Sequence, residues 1–220
     1  MDRKEIKEAA KAKIKGNLWK ILWPTIAIGI VASIPSFITG FKDGFTSAMN
    51  NTTTTNMSPG IAILTMILTI ICEIAMIAYK KYILNFTRTG KCDFQDIINC
   101  LKEKWVNIIV SSLVMGLLIT LASLLFVIPG VILALAYTMV PYLVVDTKLT
   151  GIDPLKKSRE MMKGYKGDYF VFILSFFGWI ILACCTCGIL LIWLAPYMEV
   201  AEAIYYDKLK EKTKIGYSLD

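Results

Sequence analysis

The chain has no histidine and few charged residues, and these two shortages limit what it can be. Histidine is the commonest acid–base group near neutral pH and the commonest metal ligand, yet none of the 220 residues is histidine. Charged residues make up 19% of the chain, whereas 56% are hydrophobic and the mean hydropathy is +0.59. A soluble domain is usually about 45–50% apolar. The composition therefore argues against a histidine-dependent enzyme and for a protein embedded in lipid.

Motifs for catalysis or cofactor binding are also missing from the sequence. There is no nucleophile elbow, phosphate-binding loop, dinucleotide-binding glycine pattern or zinc-type cysteine spacing in the polar segments. Cys184 and Cys187 have the spacing of a redox pair, but no basic residue stands near them in the sequence to stabilise a thiolate. They are either small packing residues or a redox pair, and the missing cation favours packing. We therefore expect no enzyme activity, no cofactor and no metal.

Long apolar blocks dominate the sequence instead. One helix needs about 20 apolar residues to cross the bilayer core, and residues 18–40, 60–79, 107–145 and 169–198 form four such blocks. The last two are long enough for two helices each, and glycine-containing breaks at Gly130 and Gly188 divide them. We therefore predict an all-α, polytopic membrane protein with about six transmembrane helices arranged as three hairpins. The predicted helices are 18–40, 60–82, 107–128, 130–146, 169–186 and 188–207.

The basic residues lie almost entirely on one side of the predicted helices. Of the 24 lysines and arginines, 23 lie before or at the start of the first helix, after the last helix, or in the two loops that join the hairpins and the helix ends beside them. Only Lys42 lies in a loop on the other side. Because basic loops stay in the cytoplasm, we expect both termini there, in a protein of the cytoplasmic membrane. We assign the net charge of +7 to topology and lipid contact, and we expect no nucleic-acid partner.

Two polar segments carry further expectations. About twenty highly charged residues precede the first apolar block and five predicted spans follow it, so we expect that block to be a retained helix and not a cleaved signal. The outward loop, 41–59, is polar, nearly uncharged and without periodicity, which predicts a mobile segment.

Each predicted hairpin is preceded by a short basic stretch with an apolar face. Residues 93–105 carry apolar side chains at spacings of three and four, and residues 153–164 begin with Asp-Pro and end with glycine, as helices do. A helix with opposed basic and apolar faces suits the lipid interface. We predict three cytoplasmic interfacial helices. Their candidate contacts to anionic lipid are Lys11, Lys13, Lys15, Lys156, Lys157, Arg159 and Lys163.

The chain is predicted to be one membrane domain made of three similar units. The segment "CEIAMIAYKKYI" at 72–83 aligns without a gap on "MEVAEAIYYDKL" at 198–209, with Glu73 on Glu199. Chance similarity between apolar helices is the alternative, and the shared glutamate favours an internal repeat. The short legs of the last hairpin leave open whether it spans or re-enters. The predicted parts are a basic helix (1–17), hairpin one (18–82), interfacial helix and hairpin two (83–146), interfacial helix and hairpin three (147–207) and a cytoplasmic tail (208–220).

Acidic residues in the returning helices are the candidate functional groups. Glu73 and Glu199 are predicted at the same depth, roughly 10 Å inside the cytoplasmic end of each helix, with Glu202 one turn nearer the cytoplasm. A charge at such depth is costly, so it should face the bundle interior, a water-filled cavity or a partner. Either these are structural carboxylates that fix helix packing, or they form a polar pocket with Tyr142 and Tyr197 that binds a cation, a proton or an amine.

Four segments resemble a known family. They read "RKEIKEAAKAKIKGNLWK", "IPGVILALAYTMVPYLVVD", "PLKKSREMMKGYKGDYFVFILSFFGW" and "WLAPYMEVAEAIYYDKL", and they resemble the bacterial integral membrane proteins of domain-of-unknown-function family 975. More distantly, the helix at 157–164 is similar to one in the membrane domain attached to some glycerophosphodiester phosphodiesterases. The resemblance implies a multi-span protein of the cytoplasmic membrane, and it brings no activity and no catalytic residues.

Three functions are compatible with these features. The first is a non-catalytic membrane protein that engages lipid, an amphiphile, another membrane protein or a second copy of itself. The second is a small secondary transporter or channel that uses Glu73 and Glu199. The third, a lipid-modifying enzyme using the carboxylates with Tyr142 or Tyr197, has least support because histidine and metal motifs are missing. The sequence favours the first.

Overall fold

A computed structural model describes residues 2–50, 59–91, 93–186 and 188–213, and all regular structure in these residues is helical. Four helices are long and apolar enough to cross a membrane: Ala62–Thr89, Gln95–Leu125, Val127–Asp146 and Lys166–Cys185. The prediction of an all-helical fold is therefore confirmed for the described residues, and these four helices are compatible with a membrane protein, while the count of six spans and the hairpin arrangement stay predictions. The helices are α1 (Arg3–Ile14), α2 (Leu18–Asn50), α3 (Pro59–Thr89), α4 (Gln95–Leu125), α5 (Val127–Tyr137), α6 (Val140–Asp146), α7 (Asp153–Met161), α8 (Lys166–Cys185) and α9 (Ile189–Thr213).

Two of the predicted interfacial helices are separate elements, α1 and α7. Each is followed by a glycine with positive φ, Gly16 at +92° and Gly164 at +85°, a conformation that L-residues with a side chain rarely adopt. The carboxylate of Asp2 accepts hydrogen bonds from the backbone N–H groups of Lys4 and Glu5 and so caps α1. The chain can therefore end each short helix and start a spanning helix in a new direction.

The apolar face of α1 packs against protein. Its stripe of Ile6, Ala10 and Ile14 is buried in the core that α9 also helps to form. The Nζ of Lys7 donates a hydrogen bond to the backbone oxygen of Ser175 at 3.0 Å and lies 4.3 Å from the centre of the Phe176 ring. Partial burial lowers the pKa of Lys7. We expected this apolar face to lie in the lipid interface, but in the structure it packs against α8 and α9.

The second predicted interfacial helix is not a separate element. Helix α4 runs without interruption over 31 residues, from the basic stretch into the apolar span. Neither glycine nor proline occurs between residues 95 and 115, so nothing in the backbone chemistry ends the helix there. The prediction of three separate interfacial helices is wrong at this position.

Several predicted boundaries also differ from the structure. Helix α2 continues to Asn50, so the first part of the predicted outward loop is helical, and residues 51–58 of that loop lie outside the described residues. The third helix ends at Thr89, seven residues beyond the predicted 82. The single predicted helix 130–146 is divided into α5 and α6 because Pro141, near the start of α6, has no N–H to continue the hydrogen-bond ladder.

The turn between α4 and α5 is very tight. Only Phe126, in an extended conformation, separates the two helices. Gly130 then lies so close to Ser123 that an added Cβ would overlap that side chain and approach its Cα to 3.0 Å. Glycine is required at this crossing because it lets the two backbones approach.

The buried core lies toward one end of the bundle. It collects side chains from the second half of α3, the middle of α6, the first half of α8 and most of α9, together with α1. Six tyrosines are among its largest fully buried side chains: Tyr79, Tyr82, Tyr142, Tyr169, Tyr205 and Tyr206. At the opposite end, Leu124 to Ile128 are 72–84% exposed. The described part of the protein therefore leaves the side chains of this turn uncovered.

Candidate functional site

A cluster of charged and phenolic side chains lies where α3, α6, α8 and α9 meet. The Nζ of Lys80 forms ion pairs with the Oε2 atoms of Glu199 at 2.6 Å and Glu202 at 3.3 Å. The Tyr142 hydroxyl donates a hydrogen bond to Glu202 Oε2 at 3.3 Å, and the ring centre of Tyr142 is 5.2 Å from the Lys80 ammonium. The hydroxyl of Tyr169 also interacts with Glu202. We name these five residues the Lys80 cluster.

The Lys80 cluster is largely enclosed. The side chains of Lys80, Glu199 and Glu202 are 16%, 20% and 23% exposed, and the two tyrosines are almost fully buried. Lys80 precedes Arg88 by eight residues on α3, so the cluster lies about 12 Å from the basic end of the helix. Two carboxylates share one ammonium there, so each member is needed to satisfy the others.

A second ionic network joins the ends of the same helices. Arg88 makes two hydrogen bonds to Asp146, at the end of α6, and also pairs with Asp207 on α9 at 2.6 Å. Asp146 is 4% exposed and accepts two more hydrogen bonds, from Lys210 at 2.8 Å and from the Tyr206 hydroxyl at 3.0 Å. The fork of the guanidinium can bond two carboxylates at once. Arg88 therefore joins the C-terminal parts of α3, α6 and α9.

Two lysines satisfy backbone carbonyls at this end. Lys13 of α1 donates to the backbone oxygen of Thr87 at 2.5 Å, near the end of α3. Lys104 of α4 donates to the backbone oxygens of Val144, Val145 and Thr147 at the end of α6. The last carbonyls of a helix have no partner within it and carry partial negative charge, so a lysine there is stabilising.

Three of the five predicted pocket residues come together, and two do not. Glu199, Glu202 and Tyr142 belong to the Lys80 cluster. Tyr197 instead donates a hydrogen bond to the backbone oxygen of Lys7 at 3.4 Å and stacks on Trp193, so it anchors α1. Glu73 is exposed in a groove between α3 and α4. It lies about 24 Å from the end of α3 and not about 10 Å, because α3 is longer than predicted, and Glu199 is likewise about 21 Å from the end of α9.

A basic cavity of about 750 Å³ lies between the end of α7 and the start of α8. Three of the predicted lipid contacts line it, namely Lys156, Arg159 and Lys163, and Lys166 joins them. Lys157 turns to Glu160, with 3.1 Å between Nζ and Oε2, and does not line the cavity. Of the predicted contacts on α1, Lys11 and Lys15 are exposed outside it, and Lys13 caps α3.

Three site residues were not predicted from the sequence: Lys80, Tyr169 and Lys166. The sequence predicts Lys80 at the membrane surface because the apolar block ends at Tyr79. In the structure, however, α3 continues for ten residues beyond that tyrosine. Lys166 follows the predicted interfacial helix, where a positive charge reads as topology alone. For Lys80 a signal was present in the uninterrupted helical sequence from 80 to 89, which holds no proline or glycine.

The described cysteines lie in two kinds of environment. Cys72 and Cys100 are buried, and Cys184 and Cys185 are exposed near the α8–α9 turn. Cys92 and Cys187 lie outside the described residues, so the choice between packing and a redox pair for Cys184 and Cys187 is not tested. Within the described ranges, no group of three or more acidic, cysteine or histidine residues could hold a metal ion.

One part of the chain, its C-terminal segment, matches a protein-family model. Residues 124–213 match the family described as "Protein of unknown function (DUF975)". The matched segment contains α5 to α9, and with them Glu199, Glu202, Tyr142 and the basic cavity. No curated protein and no solved structure matches the chain.

Proposed function

We propose that the protein is a non-catalytic, six-span protein of the cytoplasmic membrane that binds the headgroups of anionic lipids at its cytoplasmic end. The six spans are α2, α3, α4, α5 with α6, α8 and α9, and both termini face the cytoplasm. Support for this orientation comes from the end at which the basic residues gather. Lys13, Arg88, Lys104 and Lys210 all contact helix ends on one side of the bundle.

The basic cavity between α7 and α8 carries the proposal. Four cationic side chains and one carboxylate, Glu160, line it, and Glu160 is already paired with Lys157. Within the described residues, Arg159, Lys163 and Lys166 form no ion pair. The first N–H groups of α8 also have no partner inside the helix and carry partial positive charge. A cavity of this size and charge suits a phosphate-bearing headgroup.

The position of α7 supports a lipid in preference to a dissolved anion. Its apolar side, with Leu155, Ser158 and Met161, is buried in the bundle, and Ser158 donates a hydrogen bond to the backbone oxygen of Ala136 at 2.8 Å. This fixes the cationic side outward, directly before the start of a membrane-length helix, α8. Cationic residues at that level attract anionic headgroups by about 1 kcal/mol each.

Lipid retention in a neutral detergent tests the proposal. Native mass spectrometry would count bound phosphatidylglycerol and phosphatidylcholine for the wild type and for Arg159→Gln/Lys163→Gln/Lys166→Gln. We expect the preference for phosphatidylglycerol to fall at least about tenfold, since three charges at about 1 kcal/mol each are removed.

The matched control removes the same charge elsewhere. Lys91, Lys102 and Lys212 are exposed, lie away from the cavity and are not among the predicted lipid contacts. Their triple glutamine variant should keep the wild-type preference. An equal loss in both triple variants would show that net charge alone attracts the lipid, and it would contradict a site at α7 and α8.

A further inference from the structure

A groove on the lipid-facing side of α3 and α4 contains a lone carboxylate. It has a volume of about 460 Å³, within the usual range for a small-molecule site, which is about 300–1,000 Å³. Its walls are aliphatic except for two polar side chains, Glu73 on α3 and Ser112 on α4. Leu113 and Leu117, at its edge, are 63% and 61% exposed, so the groove opens toward the hydrocarbon of the bilayer.

Glu73 lies within the apolar part of α3. It is 11 residues after the start of the membrane-length helix Ala62–Thr89 and seven before Lys80, the first lysine of that helix, or about 17 and 10 Å along the axis. Within the described residues, no hydrogen bond or ion pair reaches its carboxylate.

The opposite wall of the groove is open above Gly116. An added Cβ at this glycine would meet no atom within 4 Å. Together with Ser112, one turn away, Gly116 leaves room for a bulky group to lie directly against α4. The groove therefore combines apolar walls, free space and one anion.

Charge complementarity selects the occupant. An ionised carboxylate in hydrocarbon is costly unless a cation pairs with it. A second copy of the chain that docked through the same groove would bring another carboxylate to this position and not a cation. The Lys80 cluster cannot supply one either, since Lys80 already pairs with Glu199 and Glu202. The partner must be hydrophobic enough to fill a groove with aliphatic walls and must carry a positive charge.

We propose that this groove binds a lipophilic organic cation that enters from the bilayer, with Glu73 as its counter-ion and Ser112 and Gly116 as the wall against which it packs. The site is distinct from the basic cavity between α7 and α8, which would take an anionic headgroup at the cytoplasmic surface of the membrane. It goes beyond lipid-headgroup binding, and either site can fail without the other.

Equilibrium dialysis of the purified protein in a neutral detergent tests the site. The probe is radiolabelled tetraphenylphosphonium, and tetraphenylborate serves as an anion of nearly the same size and shape. We expect saturable binding of the cation and at least tenfold weaker binding of the anion. Glu73→Gln should weaken cation binding at least tenfold, because it removes the charge and keeps the shape.

A second variant tests the groove without touching the carboxylate. Gly116→Leu fills the open space, so we expect a loss of cation binding of similar size although Glu73 is kept. The matched controls are Glu103→Gln, an exposed carboxylate on α4, and Gly178→Leu, an exposed glycine of α8 with open space around it. Both should bind the cation like the wild type.

Three results would overturn the proposal. The first is a wild-type protein that does not bind tetraphenylphosphonium above the protein-free background. The second is cation binding that Glu73→Gln and Gly116→Leu leave unchanged. The third is an oligomer in the wild type that Glu73→Gln dissociates, because the groove would then be a contact between copies. Loss of lipid preference in the α7–α8 variant, with cation binding retained, would leave this inference standing.

Discussion

At the residue scale, buried and exposed ion pairs differ in the charge that remains when one partner is removed. In the Lys80 cluster, one ammonium serves two carboxylates that are about four-fifths enclosed. Breaking a buried ion pair from one side is costly because an uncompensated charge remains. An exposed lysine leaves no such charge, since water replaces its partner. The same substitution should therefore have very different effects at different lysines.

We expect Lys80→Met to destabilise the protein by about 3 kcal/mol or more, because it leaves Glu199 and Glu202 facing each other without a cation. The measurement is thermal unfolding in detergent, followed by circular dichroism. Lys91→Met, at an exposed lysine after α3, should change the stability by less than about 0.5 kcal/mol.

A compensating variant separates ion pairing from packing. Lys80→Met/Glu199→Gln/Glu202→Gln removes all three charges, and it should recover most of the lost stability. If the triple variant is no more stable than Lys80→Met, the packing of the lysine chain and not its charge would be responsible.

At the element scale, backbone chemistry decides whether a basic stretch is a helix of its own. The stretches before α2 and α8 each contain a glycine in the left-handed region, and each is a separate helix. The stretch before residue 107 contains none, and it is the first part of α4. Hydrophobic periodicity predicted the apolar face of each of the three basic stretches. It does not predict where a helix ends, because it describes only which side of the helix is apolar.

We expect Gly164→Ala to destabilise the protein by about 1–2 kcal/mol, because alanine at a φ of +85° brings its Cβ close to the backbone. Gly116→Ala is the matched comparison, since Gly116 is helical and has open space around it. It should be neutral or stabilising by up to about 1 kcal/mol. Thermal unfolding of both variants gives the comparison, and a destabilisation of the same size in both would contradict a special role for the backbone at Gly164.

The candidate site could be predicted only in part from the sequence. Glu199, Glu202 and Tyr142 were recognisable because polar groups in an apolar block need a reason to be there. Lys80 was not, because its partners are more than 100 residues away and only the fold brings them together. Glu73 was placed beside Glu199 by an alignment of helices, but equal position in two similar segments does not give equal surroundings. Its surroundings depend on which helix packs beside α3, and here that helix is α4.

At the scale of the whole molecule, the proposed orientation assigns each turn to one side of the membrane. Cys184 is exposed near the α8–α9 turn, and Lys91 is exposed at the α3–α4 turn. If the last hairpin crosses the bilayer, these two positions lie on opposite sides. If it re-enters, they lie on the same side.

We expect a membrane-impermeant maleimide to label intact cells through Cys184, in a variant that keeps no other cysteine. A second variant, with all six native cysteines replaced and Lys91→Cys added, should be labelled only after the membrane is permeabilised. Protection of Cys184 in intact cells would contradict a spanning last hairpin, and labelling at position 91 in intact cells would contradict a cytoplasmic basic end.

The uneven distribution of the core has a mechanical consequence. Tyrosine packing and ion pairs fasten the helices at the basic end, whereas the hydrophobic side chains of the opposite turn, from Leu124 to Ile128, are mostly exposed. If the helices cross a bilayer in the proposed orientation, acyl chains surround this turn, and the spacing between the helix ends there should follow bilayer thickness and lateral pressure. Contacts between side chains thus hold the helices together at the basic end and not at the opposite turn. A thinner or more crowded membrane would therefore shift the helix ends at that turn and leave the basic end unchanged.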